Sequence, residues 1–189
     1  MPMIIYQPLK AKQQEFVEFW NLRYEYAEEN LYLNNVGQKL TEQRILELYR
    51  WKNGMKLSNE KRESVCRNFV KRRGELEQLQ PNVNAIDFLA RFADGGAIWR
   101  IFWLHCWRPN RFPIYDKHVH RAMAFINNGD PEEIPQNDPR KIRAYIERNL
   151  PFHAQFSALD GRDVDRALWA FGKFINEVKF PMVALNESY

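Results

Sequence analysis

Cysteine is scarce in this chain: Cys66 and Cys106 are the only two among 189 residues, and they lie far apart. That number excludes an iron-sulfur cluster and a four-cysteine zinc site, and it gives no disulfide framework. A reducing compartment is the expected setting. Long apolar runs are missing too, since nowhere does the sequence reach the roughly eighteen uncharged apolar residues that a membrane-spanning helix needs. The opening MPMIIYQPLKAKQQ carries too short an apolar run for a signal peptide, so a cytoplasmic location without a membrane partner is expected. Histidine is sparse, and the pair His118 and His120 would point about 200° apart on a helix, so neither a metal nor another cofactor is expected. No serine or cysteine sits in a nucleophile setting, Gly95-Gly96 alone is no phosphate-binding loop, and no segment alternates as a strand.

What is present is aromatic and helical. Aromatic residues make up 14% of the chain and hydrophobic residues 45%, enough for a sizeable core. The net charge of +4 and a pI near 9.1 permit a polyanionic partner without requiring one. Phe16, Phe19, Trp20 and Tyr24 predict a helix over 13–29. Thr41 predicts the start of a second, closed by Gly54, and a basic third is predicted over 58–79. Asn84 is placed to cap a short helix, after which Asp94-Gly95-Gly96 turns into AIWRIFWLHCW. That run is apolar nearly all round and is expected to lie inside the protein.

Next comes FPIYDKHVHRAM, residues 112–123, where an extended X-Pro step precedes Asp116 and an amphipathic run. Asp116 is expected to cap a helix with Val119, Ala122, Met123 and Ile126 on one face and Lys117 and Arg121 on the other. The polar, proline-rich stretch from Asn127 to Asp138 is expected to be a mobile loop, followed by helices over 139–149 and 163–178. The fold class expected is all-α.

The order of a short helix, a glycine turn, a buried helix and then Asp116 carries a resemblance. FPIYDKHVHRA resembles the FPI-x-D-x-x-V-x-R segment of the helix-hairpin-helix DNA glycosylase superfamily, nearest to its adenine mismatch glycosylase and endonuclease III branch, without the iron-sulfur cluster. The likeness is close over Phe92 to Ala122. Within it the hairpin is degenerate, because the positions of the family's two glycines hold Asp94 and Gly96. The resemblance implies two closely packed helical lobes within one unit over 1–189. Residues of about 1–35 with 117–189 would form one lobe, and 36–116 the lobe that carries the hairpin.

It also implies roles. Asp116 would be the catalytic carboxylate, stabilising an oxocarbenium-like sugar and activating water. Gly95, Gly96, Arg100, Lys117, His118 and Arg121 would contact DNA phosphates. Tyr115 would stack on an extruded base, with Trp20, Tyr24, Trp99, Trp103 and Trp107 as further aromatic candidates. The family's Schiff-base lysine position holds Ile98, which implies a monofunctional enzyme. The acid for the leaving base has no clear counterpart, with Glu25, Glu28 and Glu29 as candidates. The activity so implied is hydrolysis of the N-glycosidic bond of a damaged, mispaired or modified base, including modified phage DNA, by a monomer acting on duplex DNA. The alternative is a catalytically inactive DNA-binding protein on the same scaffold.

Overall fold

The computed structural model describes residues 13–178, and within them every regular element is helical. The N-terminal stretch read above for a signal peptide lies mostly outside the described residues. No helix among the described residues is long and apolar enough to cross a membrane.

Among the described residues eleven α-helices follow in order: α1 (Gln13–Asn21), α2 (Glu29–Leu33), α3 (Glu42–Asn53), α4 (Asn59–Val65), α5 (Arg73–Glu77), α6 (Ala85–Arg91), α7 (Ala97–Trp107), α8 (Lys117–Asn128), α9 (Asp138–Ala144), α10 (Leu150–Ala154) and α11 (Gly161–Glu177). Two π-helical turns, Cys66–Val70 and Tyr145–Asn149, interrupt the path. Local chemistry sets most of the starts. The side chains of Thr41, Ser58, Asn84, Asp116, Asn137 and Asp160 each accept from an amide of the first turn that follows. Gly54 and Gly129 end α3 and α8 in the left-handed conformation, at φ of 74° and 79°.

Three predicted helices are broken. The one expected over 13–29 stops at Asn21, because Tyr24 and Tyr26 turn inward and their hydroxyls bond to Glu29 and to the Trp51 carbonyl. The one expected over 58–79 passes through the π turn, which buries Asn68, Phe69 and Val70 together. The one expected over 139–149 leaves α-geometry at Tyr145, whose buried hydroxyl donates to the Pro113 carbonyl.

One continuous core runs from Val17 to Ile175, with Trp103, Tyr49, Phe69 and Phe102 fully enclosed. Helix α7 lies inside it as its composition requires. On one side α11 packs against both α1 and α8. The α8–α11 approach is set by Gly172, where a Cβ would lie 1.9 Å from the His118 carbonyl oxygen. This contact holds the start of α8 against the middle of α11.

Candidate active site

A small recess with a cavity volume of about 30 Å³ opens where the end of α3, the start of α8 and α11 converge. Aromatic rings wall it: Tyr24 and Tyr26 from the turn after α1, Trp51 from α3 and Trp169 from α11. Its polar lining is Lys52, Asp116, Arg162 and Asp165, and Ile114 and Val119 complete it.

Asp116 does two things at once. Its Oδ1 accepts from the His118 and Val119 amides at 2.9 and 3.0 Å, which is the N-cap of α8. Its Oδ2 faces the Lys52 ammonium at 3.3 Å, and Lys52 also donates to the Tyr115 carbonyl at 3.1 Å. One fifth of the Asp116 side chain remains exposed. Burial pushes the carboxyl up, but the Lys52 charge and the Val119 amide outweigh it and hold it below the usual aspartate range. Asp116 is therefore an ionised group at the edge of an aromatic recess.

The rest of the lining is held by a second polar cluster. Glu29 accepts from Arg162, Arg166, the Tyr24 hydroxyl and the Trp51 indole. The Arg162 guanidinium lies 4.2 Å over the Tyr32 ring and 5.2 Å over Trp51, a cation–π arrangement that fixes the recess wall. Burial, and then the Asp116 and glutamate charges, push the Tyr26 phenol up to about 12, so it remains a neutral hydrogen-bonding group. Behind the wall, His105 contacts the Tyr32 hydroxyl and the Phe112 carbonyl, each at 2.7 Å. Burial lowers its pKa to about 4, so the neutral ring donates from Nδ1 to Phe112 and accepts from Tyr32.

Asp165 is different. It is 4% exposed, its Oδ2 accepts one long bond from the Ile114 amide at 3.4 Å, and its Oδ1 has no hydrogen-bond partner among the described residues. His153 Nε2, also without one, stands 3.4 Å from that oxygen.

Several residues assigned from sequence are employed elsewhere. Tyr115 is fully buried, with its hydroxyl 2.7 Å from His120 Nδ1 and its ring on Tyr145, so it faces the core and not the recess. Arg100 closes on the Phe92 carbonyl at 2.8 Å and on the Leu89 carbonyl, capping the end of α6 where an open phosphate contact was expected. Arg121 is 4% exposed, bound to the Gly172 carbonyl and Glu133, because α8 is covered on both faces. His118 is half-buried with its ring against Trp169. Lys117 stays exposed beside Asp116.

Gly95 and Gly96 are exposed, and Gly95 takes φ of 89° close against Asn68 and Phe69. The amide that follows them, Ala97 N–H, already donates to Asp138 at 3.0 Å. An internal carboxylate thus occupies the anion position expected for DNA phosphate. The glutamate candidates also fall away from the recess: Glu28 pairs with Arg50, Glu29 is saturated, and Glu25 is exposed. Trp103 is enclosed, Trp20 packs on Phe171 and Phe174, and Trp99 and Trp107 lie on Tyr49 and Phe88. Of the aromatic candidates, Tyr24 lines the recess.

Sequence reasoning missed Trp51, Lys52, Tyr26, Arg162, Asp165 and Trp169. A signal existed in α11, where Arg162, Asp165 and Trp169 recur three and four residues apart along the edge of the apolar face. For Lys52, nothing local announces that its side chain crosses to a helix start 64 residues later.

Comparison with known proteins adds nothing to these observations: no protein-family model, no curated protein and no solved structure matches the chain.

Proposed function

We propose that the protein is a DNA N-glycosylase that hydrolyses the bond between a damaged, mispaired or modified base and its sugar. The single observation that carries this reading is Asp116, held ionised by two backbone amides and Lys52 at the edge of an aromatic recess. Cleavage of an N-glycosidic bond builds positive charge on the sugar, and a fixed carboxylate stabilises that charge without having to reorganise. The same carboxylate orients a water for attack. The rings of Tyr24, Tyr26, Trp51 and Trp169 supply the stacking faces that an extruded base requires. In this reading α1, α8 and α11 belong to one lobe, α3 to α7 to the other, and a monomer acts on duplex DNA in the cytoplasm.

Lys52 enters the reading as a charge partner. Its donors are directed to the Asp116 carboxylate and the Tyr115 carbonyl, so it clamps the carboxylate and does not stand as a free amine. The mechanism remains hydrolytic, with water as the nucleophile.

A test that needs no knowledge of the base uses two duplexes with sugar analogues at one position, a cationic pyrrolidine and a neutral tetrahydrofuran. The wild type is expected to bind the cationic duplex at least tenfold more tightly, since it mimics the charge of the transition state. Asp116→Asn is expected to erase the difference. Equal binding of both duplexes by the wild type would remove the electrostatic role of Asp116.

A further inference from the structure

Hydrolysis of an N-glycosidic bond also needs a proton for the departing base, and none of the glutamates proposed from sequence lines the recess. Asp165 does line it, from the middle of α11. A carboxylate 4% exposed, with one oxygen lacking a hydrogen bond among the described residues, is costly to bury unless something completes it. On one side stands His153, with Nε2 at 3.4 Å and a side chain that is 16% exposed. On the other is the recess. A route for a proton thus runs from solvent to His153, to Asp165 and to the place where a ligand would sit.

The groups that face Asp165 leave this route free of competitors. Tyr32 from α2 and Tyr145 from the second π turn are phenols pushed further up by burial. His105 from α7 is neutral, with both ring nitrogens engaged. Arg162, on the same helix, has no proton to accept; it bonds Glu29 and the Tyr24 hydroxyl through Nη2, and its buried Nε has no hydrogen-bond partner among the described residues. Across the recess, Lys52 and Asp116 are paired with each other. His153 is the remaining neighbour, and it reaches solvent.

We propose that Asp165 is the general acid of the site and that His153 is the positioning residue that resupplies its proton. The proposal rests on the glycosylase reading. The bond from C1′ to the base nitrogen breaks with its electron pair going to the base, and the Asp165 proton moves onto the base. Water adds its oxygen to C1′ and gives up a proton through Asp116. Asp165, left as a carboxylate, takes a proton from His153, which recovers one from solvent.

The test compares bases that need protonation with one that does not. Duplexes carrying uracil, hypoxanthine or 8-oxoguanine hold neutral bases, whereas N7-methylguanine is already cationic and leaves without an added proton. Base release is followed by alkaline cleavage at the abasic site for the wild type, Asp165→Asn and His153→Gln, across pH. For a neutral base that the wild type releases, Asp165→Asn is expected to lower kcat about 10²-fold and to flatten the fall in rate at high pH. His153→Gln should lower it less while changing the same limb, and an unfolding midpoint close to that of the wild type rules out misfolding as an explanation. Release of N7-methylguanine, where it occurs, should stay near wild type in both variants.

Wild-type release confined to N7-methylguanine, unchanged release of neutral bases by Asp165→Asn, or equal losses on neutral and cationic bases would each overturn the general acid while leaving the glycosylase reading in place. Release from none of the four duplexes, together with equal binding of the pyrrolidine and tetrahydrofuran analogues, would overturn both.

Discussion

At the turn before α7, the first helical amide donates to Asp138 and the Arg100 guanidinium closes on the last carbonyls of α6. At the recess, Asp116 keeps one oxygen toward Lys52 and the opening, and Asp165 keeps one without a hydrogen bond among the described residues. Both regions begin helices and both bring a carboxylate to the amides of a first turn. The difference lies in completion: the turn satisfies its polar groups internally, whereas the recess leaves some of them unmatched beside aromatic faces. Buried polar groups are normally satisfied, so the incomplete region is where a ligand has something to contribute. The turn before α7, by this criterion, holds the fold together.

Substitutions on the two sides should separate these roles. The largest effect is expected from Asp116→Asn, which, on the glycosylase proposal, should lower base release about 10³-fold, on the scale of losing a preorganised electrostatic group. Asparagine keeps the helix cap but leaves the buried Lys52 ammonium without its carboxylate, so chemical unfolding should show a modest loss of about 1–2 kcal/mol. A large stability loss with activity retained would make the recess as structural as the turn.

Next is Gly172→Ala, where the added Cβ meets backbone and cannot be accommodated by a side-chain rotation. A loss of about 3 kcal/mol in denaturant unfolding is expected, at the upper end of overpacking effects. A stability close to that of the wild type would show that α8 can separate from α11, and the recess would lose its fixed geometry.

Lys52→Met should cost about 1–2 kcal/mol, less than for a wholly buried pair because Asp116 is partly exposed. The sign with pH follows from the depressed Asp116 pKa. Its contribution is present above the ordinary aspartate range and is lost as pH falls through the lower value of the folded state. Without Lys52 that loss should begin at a higher pH, measurable as an upward shift of the acid-unfolding midpoint. The same variant should leave no change in borohydride trapping on an abasic duplex, because no lysine adduct is expected from the wild type.

The smallest effect is expected at the turn. Asp138→Ala removes the acceptor for the Ala97 amide and should cost about 1 kcal/mol, with base release unaltered. A marked gain in DNA affinity on this substitution would mean that the carboxylate had been standing in for a phosphate, and the contrast between the two regions would collapse.

The sequence made the helices legible where a cap and an apolar period coincide. Thr41, Asn84, Asp116 and Gly54 act in the structure as their residue types suggest, and α7 is buried as its composition requires. It did not reveal the π turns, which answer to the tertiary demand for burying Phe69 and Tyr145. Asp116 stood out because a helix start is a local event. Lys52 and Asp165 did not, since each acquires its meaning from a segment distant in sequence. Arg100 and Arg121 misled for the converse reason: a charged side chain reads as surface, yet a long guanidinium satisfies buried carbonyls when the packing turns it inward.

The segment between α8 and α9, read from sequence as a mobile loop, is fastened along its length. Glu132 takes Arg148 and Asn128, Glu133 takes the buried Arg121, and Asp138 is fixed to α7. A protease needs several residues of extended, detachable backbone to cut, and these ties deny it that slack. Limited digestion should therefore spare the most proline-rich stretch of the described chain at neutral pH. It should open the stretch in acid, as protonation of Glu132 releases Arg148.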